Sequence, residues 1–440
     1  METAVIAIIA FVPMLVMLVV IHEWGHFFTA RAFGVKVLEF GIGYPPRAFG
    51  FYTGRTRVLL DAGTHYLNLS GPSAIQPGLL VRVHSTEDAS GNLVARVVEG
   101  SQSGSLRRSP SLQDLDTDEL LRHEGTVREM DNDSLVVADM AYTVNWLPLG
   151  GFVRLAGENN PVVPRSLASK GPGPRTIILA AGSLVNAVFP LVAFTLLFMI
   201  PQGVTVGQVQ VDVVEANSPA QAAGIQPGDL VLTAGDRTIE QGSDLVRATT
   251  LNAGSPMEWT IQRDGLTEVV RLTPRVNPPP GQGATGIQIS LVNLRSETRF
   301  DPPWTAVWKG ATSSWEMLTL LRQEISSWIT GVRSPQLSGP VGIAQVTGEV
   351  TRDGGVRGWV VLSILFSINL AILNLLPIPM LDGGRIMFVL LEWIRGGRRI
   401  PAEREGLVHL IGFVALLGFI LFITYNDIVR MIQGGSPLGG

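Results

Sequence analysis

Residues 5–28, VIAIIAFVPMLVMLVVIHEWGHFF, belong to an apolar stretch, approximately 4–30, that is long enough to cross a bilayer. A hydrocarbon core about 30 Å thick takes roughly 20 helical residues. Three further stretches, at approximately 176–200, 358–381 and 406–426, have the same character. The N-terminus carries no basic residue and no small-residue cleavage site follows, so we expect an uncleaved helix rather than a signal peptide. The sequence therefore predicts a multi-pass α-helical membrane protein with four transmembrane helices.

The composition agrees with this prediction and excludes several other classes of protein. The 440 residues carry 33 basic and 37 acidic side chains, whereas a soluble protein of this length would carry roughly 110 charges. A net charge of −4 without any long basic run excludes a nucleic-acid-binding protein. Because there is no cysteine, disulfides, thiol nucleophiles and cysteine metal sites are excluded as well. A metal site would have to be built from Asp, Glu and the six histidines.

Basic residues are concentrated in three loops beside the apolar stretches, at 31–57, 154–175 and 395–404. Loops rich in Lys and Arg remain on the cytoplasmic side of a membrane. This pattern predicts that the N-terminus and the long segment 202–357 lie outside the cytoplasm.

Three polar segments separate the spans. Residues 205–275 contain short β-branched runs between Gly, Pro and Asp turns, which predicts a small β-rich module, and 274–286 read as its exit linker. Residues 70–140 predict a small cytoplasmic β-rich insertion with a loose Ser/Gly/Arg-rich tip at 100–110, or alternatively a partly disordered acidic loop. Residues 301–333 carry four tryptophans, which indicate either an amphipathic helix on the outer leaflet or anchors of the domain's own core.

The pentapeptide HEWGH at 22–26 is the strongest chemical signal. On a helix, His22 and His26 share one face and can both present a nitrogen to one metal ion, while Glu23 stands beside a bound water. A chance HExxH is common in soluble proteins. Here, however, the motif ends an apolar helix, where ionisable side chains are costly to bury unless they are paired or coordinated. The pattern therefore indicates a metal site.

A catalytic zinc takes a third protein ligand, and Asp382 is the best candidate. It follows the third apolar stretch in NLLPIPMLDGGRI, where Pro377, Pro379 and the glycines interrupt the helix. Irregular backbone at membrane depth is tolerated only inside protein or beside a wet cavity, which zinc hydrolysis requires. The alternative is that Asp382 merely caps a helix starting at Gly383. Both HEWGH and Asp382 lie near the cytoplasmic end of a span that runs inward, so they fall at similar depth.

Two further polar residues lie in apolar spans. Asn374, in AILNLLP, is eight residues before Asp382 and could hydrogen-bond a substrate backbone or an oxyanion. Asn186, in AAGSLVNAV, is predicted to pack between helices, which is the commoner role of such residues.

With these residues in place, the sequence resembles the site-2 protease family of intramembrane zinc metalloproteases, in particular its bacterial RseP-like members. Five motifs match the family pattern in order: HEWGHFFTARAFGVKVLEFGIGYPP, LPLGGFVRLAGE, AAGSLVNAVFP, LSGPVGI and NLLPIPMLDGGRI. The resemblance implies that residues 205–275 form an extracytoplasmic PDZ domain, with one such module where some relatives have two. It also implies a bacterial inner (cytoplasmic) membrane location, with the active site toward the cytoplasmic side.

The resemblance implies that His22, His26 and Asp382 bind one zinc ion per chain and that Glu23 is the catalytic base. It implies as well that residues from about 37 to 68 form a membrane-embedded β-hairpin or sheet whose edge pairs with an unwound substrate segment. The LPLGGFVRL segment would belong to the same structure. The candidate substrate-binding residues are Asn374, Gly43, Gly150 and Gly151.

The expected function is hydrolysis of a peptide bond within or near the transmembrane segment of a single-pass protein, including anti-sigma factors already trimmed by another protease. The expected partners are that substrate, the lipid bilayer and a peptide or substrate C-terminus at the PDZ-like module. Alternatives are an inactive membrane-anchored PDZ scaffold and a zinc peptidase acting on soluble peptides. The predicted domains are 1–69, first span and membrane hairpin; 70–140, insertion; 141–204, Gly-Gly hairpin and second span; 205–275, PDZ-like; 276–357, linker and interfacial helix; and 358–440, last two spans.

Overall fold

The fold is given by a computed structural model, which describes residues 2–101, 119–131, 133–158, 160–279, 281–332 and 338–433. From residue 102 onward, the predicted tip at 100–110 lies outside these residues. The chain divides into two compact units. The first contains residues 1–189 and 338–440, and the second contains residues 190–337.

Long apolar helices dominate the first unit. The helices of the described residues are α1 (Glu2–Ala32), α2 (Pro172–Met199), α3 (Pro219–Ala222), α4 (Gly242–Leu251), α5 (Pro303–Ile329), α6 (Pro340–Leu375), α7 (Asp382–Ile394) and α8 (Ala402–Ile432). Four of them, α1, α2, α6 and α8, are long and apolar enough to cross a membrane. The prediction of a membrane protein with four long apolar helices is confirmed.

The third apolar helix differs from its predicted bounds of 358–381. Helix α6 begins much earlier, at Pro340, and is interrupted at Gly355, whose φ of 57° is incompatible with a continuous helix. The helix ends at Leu375 because Leu376 is extended (φ −66°, ψ 147°), as a residue before proline prefers. The chain between Leu376 and Asp382 is therefore free to fold back toward the first helix.

Helices α1 and α6 pack together through a compact apolar cluster that includes Met14, Leu18 and Leu362. The indole of Trp359 donates a hydrogen bond to the carbonyl of Ala10 at 2.9 Å, which satisfies a polar group inside this contact. Because the N-terminal amides of a helix lack partners within it, the start of α6 needs acceptors from elsewhere. Asp427 of α8 supplies one, accepting from the backbone N–H groups of Gly339 and Gly342 at 2.8 Å each.

Strands form three sheets. The strands of the described residues are β1 (Val37–Thr53), β2 (Thr56–Leu59), β3 (His65–Leu67), β4 (Leu80–Glu87), β5 (Leu93–Gly100), β6 (Leu121–Met130), β7 (Ser134–Ala138), β8 (Met140–Leu155), β9 (Gln202–Val214), β10 (Leu230–Ala234), β11 (Arg237–Thr238), β12 (Met257–Arg263), β13 (Leu266–Leu272) and β14 (Ile287–Arg299).

The long strands β1 and β8 fold back on themselves and form a small antiparallel sheet beside α1. Residues 37–42 of β1 pair on one edge with residues 151–155 of β8 and on the other edge with residues 141–144. Residues 47–53 of β1 then pair with residues 140–145 of β8, on the edge that faces away from residues 37–42. Within the described residues, segment 151–155 is therefore an outer segment with one free edge.

The second sheet has the strand order β2-β7-β6-β4-β5-β3, and β2 also pairs with β5. It encloses a core of small and branched side chains, among them Val58, Val83, Ala95 and Leu135, all fully buried. The chain thus forms a folded β-rich body here and not a disordered acidic loop. The sheet takes in β2 and β3, which precede residue 70.

The second unit contains an antiparallel sheet of order β13-β12-β10-β9-β14, with β11 attached to β10. The side chain of Trp259 is fully buried at its centre, and α4 packs Leu245 and Ala248 onto the same core. Strand β14 lies in the stretch 276–357, for which the sequence predicted a linker and a helix. Its alternating residues pair with β9 from Ile287 opposite Val214 to Arg299 opposite Gln202.

Helix α5 shows which role its tryptophans play. Trp304, Trp308 and Trp315 are 74%, 72% and 71% exposed, whereas the opposite face buries small residues. Among these, Gly310 approaches the backbone of α2 closely, since a Cβ there would lie 3.1 Å from the Leu191 carbonyl oxygen. These three tryptophans therefore do not anchor the core of the unit, which leaves an apolar outer face.

Candidate metal centre

The last turns of α1 bring two histidines together. His22 and His26 lie one helical turn apart, and both are buried, at 6% and 9% exposure. Their Nε2 atoms are 3.2 Å from each other. Because α1 continues as a regular helix to Ala32, the four-residue spacing alone orients both rings to the same side.

Asp382 reaches the same point from the N-terminus of α7. Its Oδ2 atom lies 3.0 Å from Nε2 of His22 and 3.1 Å from Nε2 of His26. The turn before it is tight, because a Cβ at Gly383 would lie 2.0 Å from the Leu376 carbonyl oxygen, and one at Gly384 would lie 2.4 Å from that of Ile378. The two glycines after Asp382 therefore allow the backbone path that delivers the carboxylate.

Hydrogen bonds fix which nitrogen of each ring faces this point. The Nδ1 atom of His26 lies 2.9 Å from the carbonyl oxygen of Ile178, an acceptor, so Nδ1 carries a proton and Nε2 is the nitrogen available to a metal ion. The Nδ1 atom of His22 lies 3.3 Å from the side-chain amide of Asn186, whose Oδ1 is buried and lacks a partner. Flipping the Asn186 amide exchanges its oxygen and nitrogen positions. Oδ1 then accepts a hydrogen bond from Nδ1–H of His22, so that both atoms have a partner.

The donor set fits a divalent metal ion. Two imidazole nitrogens and a carboxylate oxygen, all lone-pair atoms, converge within 4.8 Å of one another. Their closest separations of 3.0–3.2 Å are near the roughly 3.3 Å edge of a tetrahedron with zinc bonds of about 2.0 Å. Two histidines and one carboxylate also match a catalytic zinc site that keeps its fourth position open.

Glu23 stands between these three residues and the edge of the β1–β8 sheet. The backbone N–H of Val153 lies close to the Glu23 carboxylate. A Cβ added to Gly151 would lie 3.8 Å from Cγ of Glu23. The free-edged segment 151–155 therefore runs directly beside a carboxylate that is not part of the convergent donor set.

The candidate substrate-binding residues lie in two places. Gly43 and Gly150 adopt the left-handed region, with φ of 75° and 110°, and a Cβ at Gly43 would lie 2.5 Å from the Leu147 carbonyl oxygen. Gly151 faces Glu23, as described above. Asn374 lies in the final turns of α6, half-buried, and within the described residues its amide makes no hydrogen bond. Their contact with a substrate stays a prediction.

Sequence reasoning missed two groups that hold the histidine rings. Asn186 was predicted to pack between helices, and its fully buried side chain does lie between α2 and α1, but its partner there, His22, was not predicted. The sequence did contain one indication of this contact, because Asn186 follows Gly182 by four residues and the two share a face of α2. That face lies against the histidines, since a Cβ at Gly182 would lie 2.6 Å from Nε2 of His26. The carbonyl of Ile178 carried no signal, because any residue has one.

Comparison with known protein families shows to which family the chain belongs. The model of peptidase family M50 matches residues 10–61 and 134–419. The chain belongs to this family, the site-2 proteases. A second model, a domain of unknown function called DUF5666, matches residues 50–99. Membership of the M50 family assigns the chain to the zinc metallopeptidases, and its four long apolar helices assign it to a membrane.

This site-2 protease is similar over nearly its whole length to several curated bacterial proteins. Zinc metalloprotease RasP of Oceanobacillus iheyensis is 31% identical over 434 residues, covering 96% of this chain and 99% of the relative. Probable protease eep of Enterococcus faecalis is 29% identical and covers 96% and 99%. Regulator of sigma-W protease RasP of Bacillus subtilis is 29% identical and covers 96% and 98%.

Proposed function

We propose that this site-2 protease hydrolyses a peptide bond within or near the transmembrane segment of single-pass membrane proteins, using one zinc ion held by His22, His26 and Asp382. The observation that carries the proposal is the convergence of their three lone-pair atoms at 3.0–3.2 Å, between helices long enough to span a membrane. The Bacillus subtilis relative is named a regulator of sigma-W protease, so the proposed substrates include membrane-spanning anti-sigma factors.

The residues around the site have separate tasks in this proposal. A bound zinc ion supplies a Lewis acid that acidifies water and polarises a carbonyl group. Glu23 takes the proton of the attacking water and returns it to the leaving amine. The Ile178 carbonyl and the Asn186 amide hold the rings of His26 and His22 so that each directs Nε2 toward the ion.

The free edge of segment 151–155 supports a mode of substrate presentation. A peptide bond inside a helix is hydrogen-bonded and shielded, so a transmembrane substrate must first unwind. An extended chain can pair with the exposed edge of a sheet through backbone hydrogen bonds. Pairing at residues 151–155 would bring the scissile bond beside Glu23, since Gly151 adjoins that side chain.

Glu23→Gln tests the proposed chemistry. We expect cleavage of a co-expressed single-pass substrate to fall about 100-fold or more, while bound zinc stays unchanged, because Glu23 is not a ligand. Trp24→Phe is the matched control, since this neighbouring side chain is 49% exposed and lies outside the donor set. Cleavage that survives Glu23→Gln would leave a scaffold role. Equal cleavage of a soluble peptide with the same sequence would favour the soluble-peptide alternative.

The second unit, residues 190–337, is proposed to contain a PDZ-like domain on the extracytoplasmic side. Its antiparallel sheet with a short helix after Ser218 and a longer helix α4 supports this assignment. Such a module could bind a substrate C-terminus by strand addition or obstruct untrimmed substrates. Because Gln202 lies opposite Arg299 in the β9–β14 ladder, residues 203–298 can be replaced by a short Gly-Ser linker. Unregulated cleavage would then indicate obstruction, and lost cleavage would indicate recruitment.

A further inference from the structure

A cavity of about 480 Å³ lies in the first unit, where α1 ends and β1 begins. Four cationic side chains line it, and its carboxylate is Asp139. We call it the cationic cavity; its charged lining residues are Arg31, Lys36, Arg55, Arg165 and Asp139. It contains none of the residues of the candidate metal centre.

The one carboxylate of the cationic cavity is already fully engaged. Its Oδ1 accepts from Nζ of Lys36 at 2.6 Å and from Oγ1 of Thr56 at 2.8 Å. Its Oδ2 lies 2.6 Å from Nδ1 of His123. Asp139 therefore neutralises Lys36 and offers no charge to the three arginines.

The arginines are less well compensated. Arg55 pairs with Glu129 and Arg165 with Glu87, the latter at 3.4 Å, and neither glutamate lines the cavity. Within the described residues Arg31 has no carboxylate partner, and its guanidinium stacks over the ring of Phe27 at 5.3 Å. Burial, together with the charges of Arg165 and Arg31, lowers the pKa of Lys36, as expected where cations face one another. The cavity therefore has an excess of positive charge that an anion would balance.

The position of the cavity narrows the chemistry of that anion. Arg31 lies in the last turn of α1, the end of a helix long enough to span a membrane. The phosphate groups of lipids lie at this depth, where a membrane helix leaves the hydrocarbon core. Guanidinium groups bind phosphate oxygens in a bidentate fork, and three of the four cations here are arginines.

We propose that the cationic cavity binds a phosphate group, supplied by the head group of an anionic phospholipid or by a soluble phosphate. The proposal does not depend on the proteolytic function, because no residue of the metal centre takes part. Occupancy would tie the end of α1 to the β-rich body of residues 56–138.

The test uses the full chain in nanodiscs. Wild type, Arg31→Gln, Arg165→Gln and the double variant are compared by native mass spectrometry and thermal melting. One arm adds phosphatidylglycerol to phosphatidylcholine, and the other adds inorganic phosphate to pure phosphatidylcholine. Arg404→Gln is the matched control, since it removes an exposed positive charge outside the cavity, near the start of α8. Melting in pure phosphatidylcholine verifies that each variant is folded, and Arg31→Lys should restore part of the binding.

We expect each cavity variant to weaken retention of the phosphate-bearing ligand by about fivefold and Arg404→Gln to leave it unchanged. An effect in the phosphatidylglycerol arm identifies a lipid head group, and an equal effect in the inorganic phosphate arm identifies a soluble phosphate. Either result supports the cavity as a phosphate site. Retention that is absent in both arms, or that falls equally in Arg404→Gln, would overturn the proposal and indicate only general attraction to an anionic surface.

Discussion

Two regions of the first unit combine histidine with aspartate. They differ in how the polar atoms of these side chains are arranged and partnered. At the metal centre, Nε2 of His22, Nε2 of His26 and Oδ2 of Asp382 converge to within 3.0–3.2 Å of one another, as the ligands of one metal ion do. In the β-rich body, Oγ of Ser85 lies 2.8 Å from Nε2 of His123, whose Nδ1 lies 2.6 Å from Oδ2 of Asp139. Residue types alone therefore do not distinguish a reactive site from a structural one.

In the second cluster, Ser85, His123 and Asp139 contact one another in the same sequence as the Ser, His and Asp of a serine hydrolase triad, but the cluster is closed and inaccessible to solvent. Ser85 and His123 are completely buried, so no substrate can reach the hydroxyl. Lys36 neutralises Asp139, and burial lowers the pKa of His123, which keeps the ring neutral. The polar side-chain atoms of Ser85, His123 and Asp139 have partners in one another or in Lys36 and Thr56, whereas the metal centre brings together three atoms that can all bind one cation. The convergence of three potential ligand atoms on one point, and not burial, therefore distinguishes the candidate metal centre from this cluster.

The largest effect is expected from a single methyl group beside the metal centre. Gly182→Ala would direct a Cβ to within 2.6 Å of Nε2 of His26 and 2.7 Å of Nε2 of His22. We expect zinc affinity to fall about 10–100-fold and cleavage to be lost with it. Gly173→Ala in the same helix is the control, because nothing lies within 4 Å of its Cβ. Alanine is otherwise the better helix former, so equal behaviour of the two variants would contradict the geometry.

The closed cluster should respond to mutation in stability and not in chemistry. His123→Ala leaves Oγ of Ser85 and Oδ2 of Asp139 each without its partner, at a cost of about 1–3 kcal/mol per group in the free energy of unfolding. Ser85→Ala removes one hydrogen bond and should cost less. Zinc content and the cleavage rate of the folded fraction should match wild type in both variants. Loss of activity in a stable Ser85→Ala protein would show that the cluster is catalytic after all.

A smaller effect is expected from pH, through His84 next to Ser85. Burial lowers the pKa of His84 to about 4, with Arg122 and Arg82 adding to it, and both ring nitrogens lack partners. Since an unfolded histidine titrates near 6.5, the unfolded state takes up a proton first as pH falls. Stability should therefore be complete above about pH 6.5 and decrease toward pH 4, by about 2 kcal/mol between pH 7 and pH 5.

Melting temperatures at pH 7 and pH 5 check this expectation. His84→Leu should reduce the difference between the two pH values relative to wild type. His65→Leu is the control, because His65 is exposed and should leave the pH dependence in place. An unchanged pH dependence in His84→Leu would remove His84 as its source.

The sequence predicted the parts of the site that depend on local spacing. His22 and His26 share a helix face by periodicity alone, and Asp382 was marked by the prolines and glycines that break an apolar stretch. Asn186 was assigned to packing, because its contact with His22 depends on how α2 docks against α1. The carbonyl of Ile178 is a backbone group, so its role exists only in the folded chain.

In the fold, too, features that depend on local sequence were predicted, and features that depend on long-range contacts were not. Four apolar helices follow from hydropathy, but the early start of α6 does not, because residues 340–354 are not uniformly apolar and precede a break at Gly355. Strand β14 lay in a predicted linker because its pattern of half-exposed residues becomes a strand only when paired with β9. Local periodicity determines which elements exist, whereas long-range pairing determines where they end.

We propose that three residues from two distant segments of the chain, His22, His26 and Asp382, hold one zinc ion. The most direct measurement is the zinc content of the purified full chain by mass spectrometry, with and without Asp382→Ala, and with Asp212→Ala, at an exposed position of β9, as the control. We expect one zinc ion per chain in wild type and in the control, and little or none in Asp382→Ala. Unchanged zinc content in Asp382→Ala would contradict this proposal.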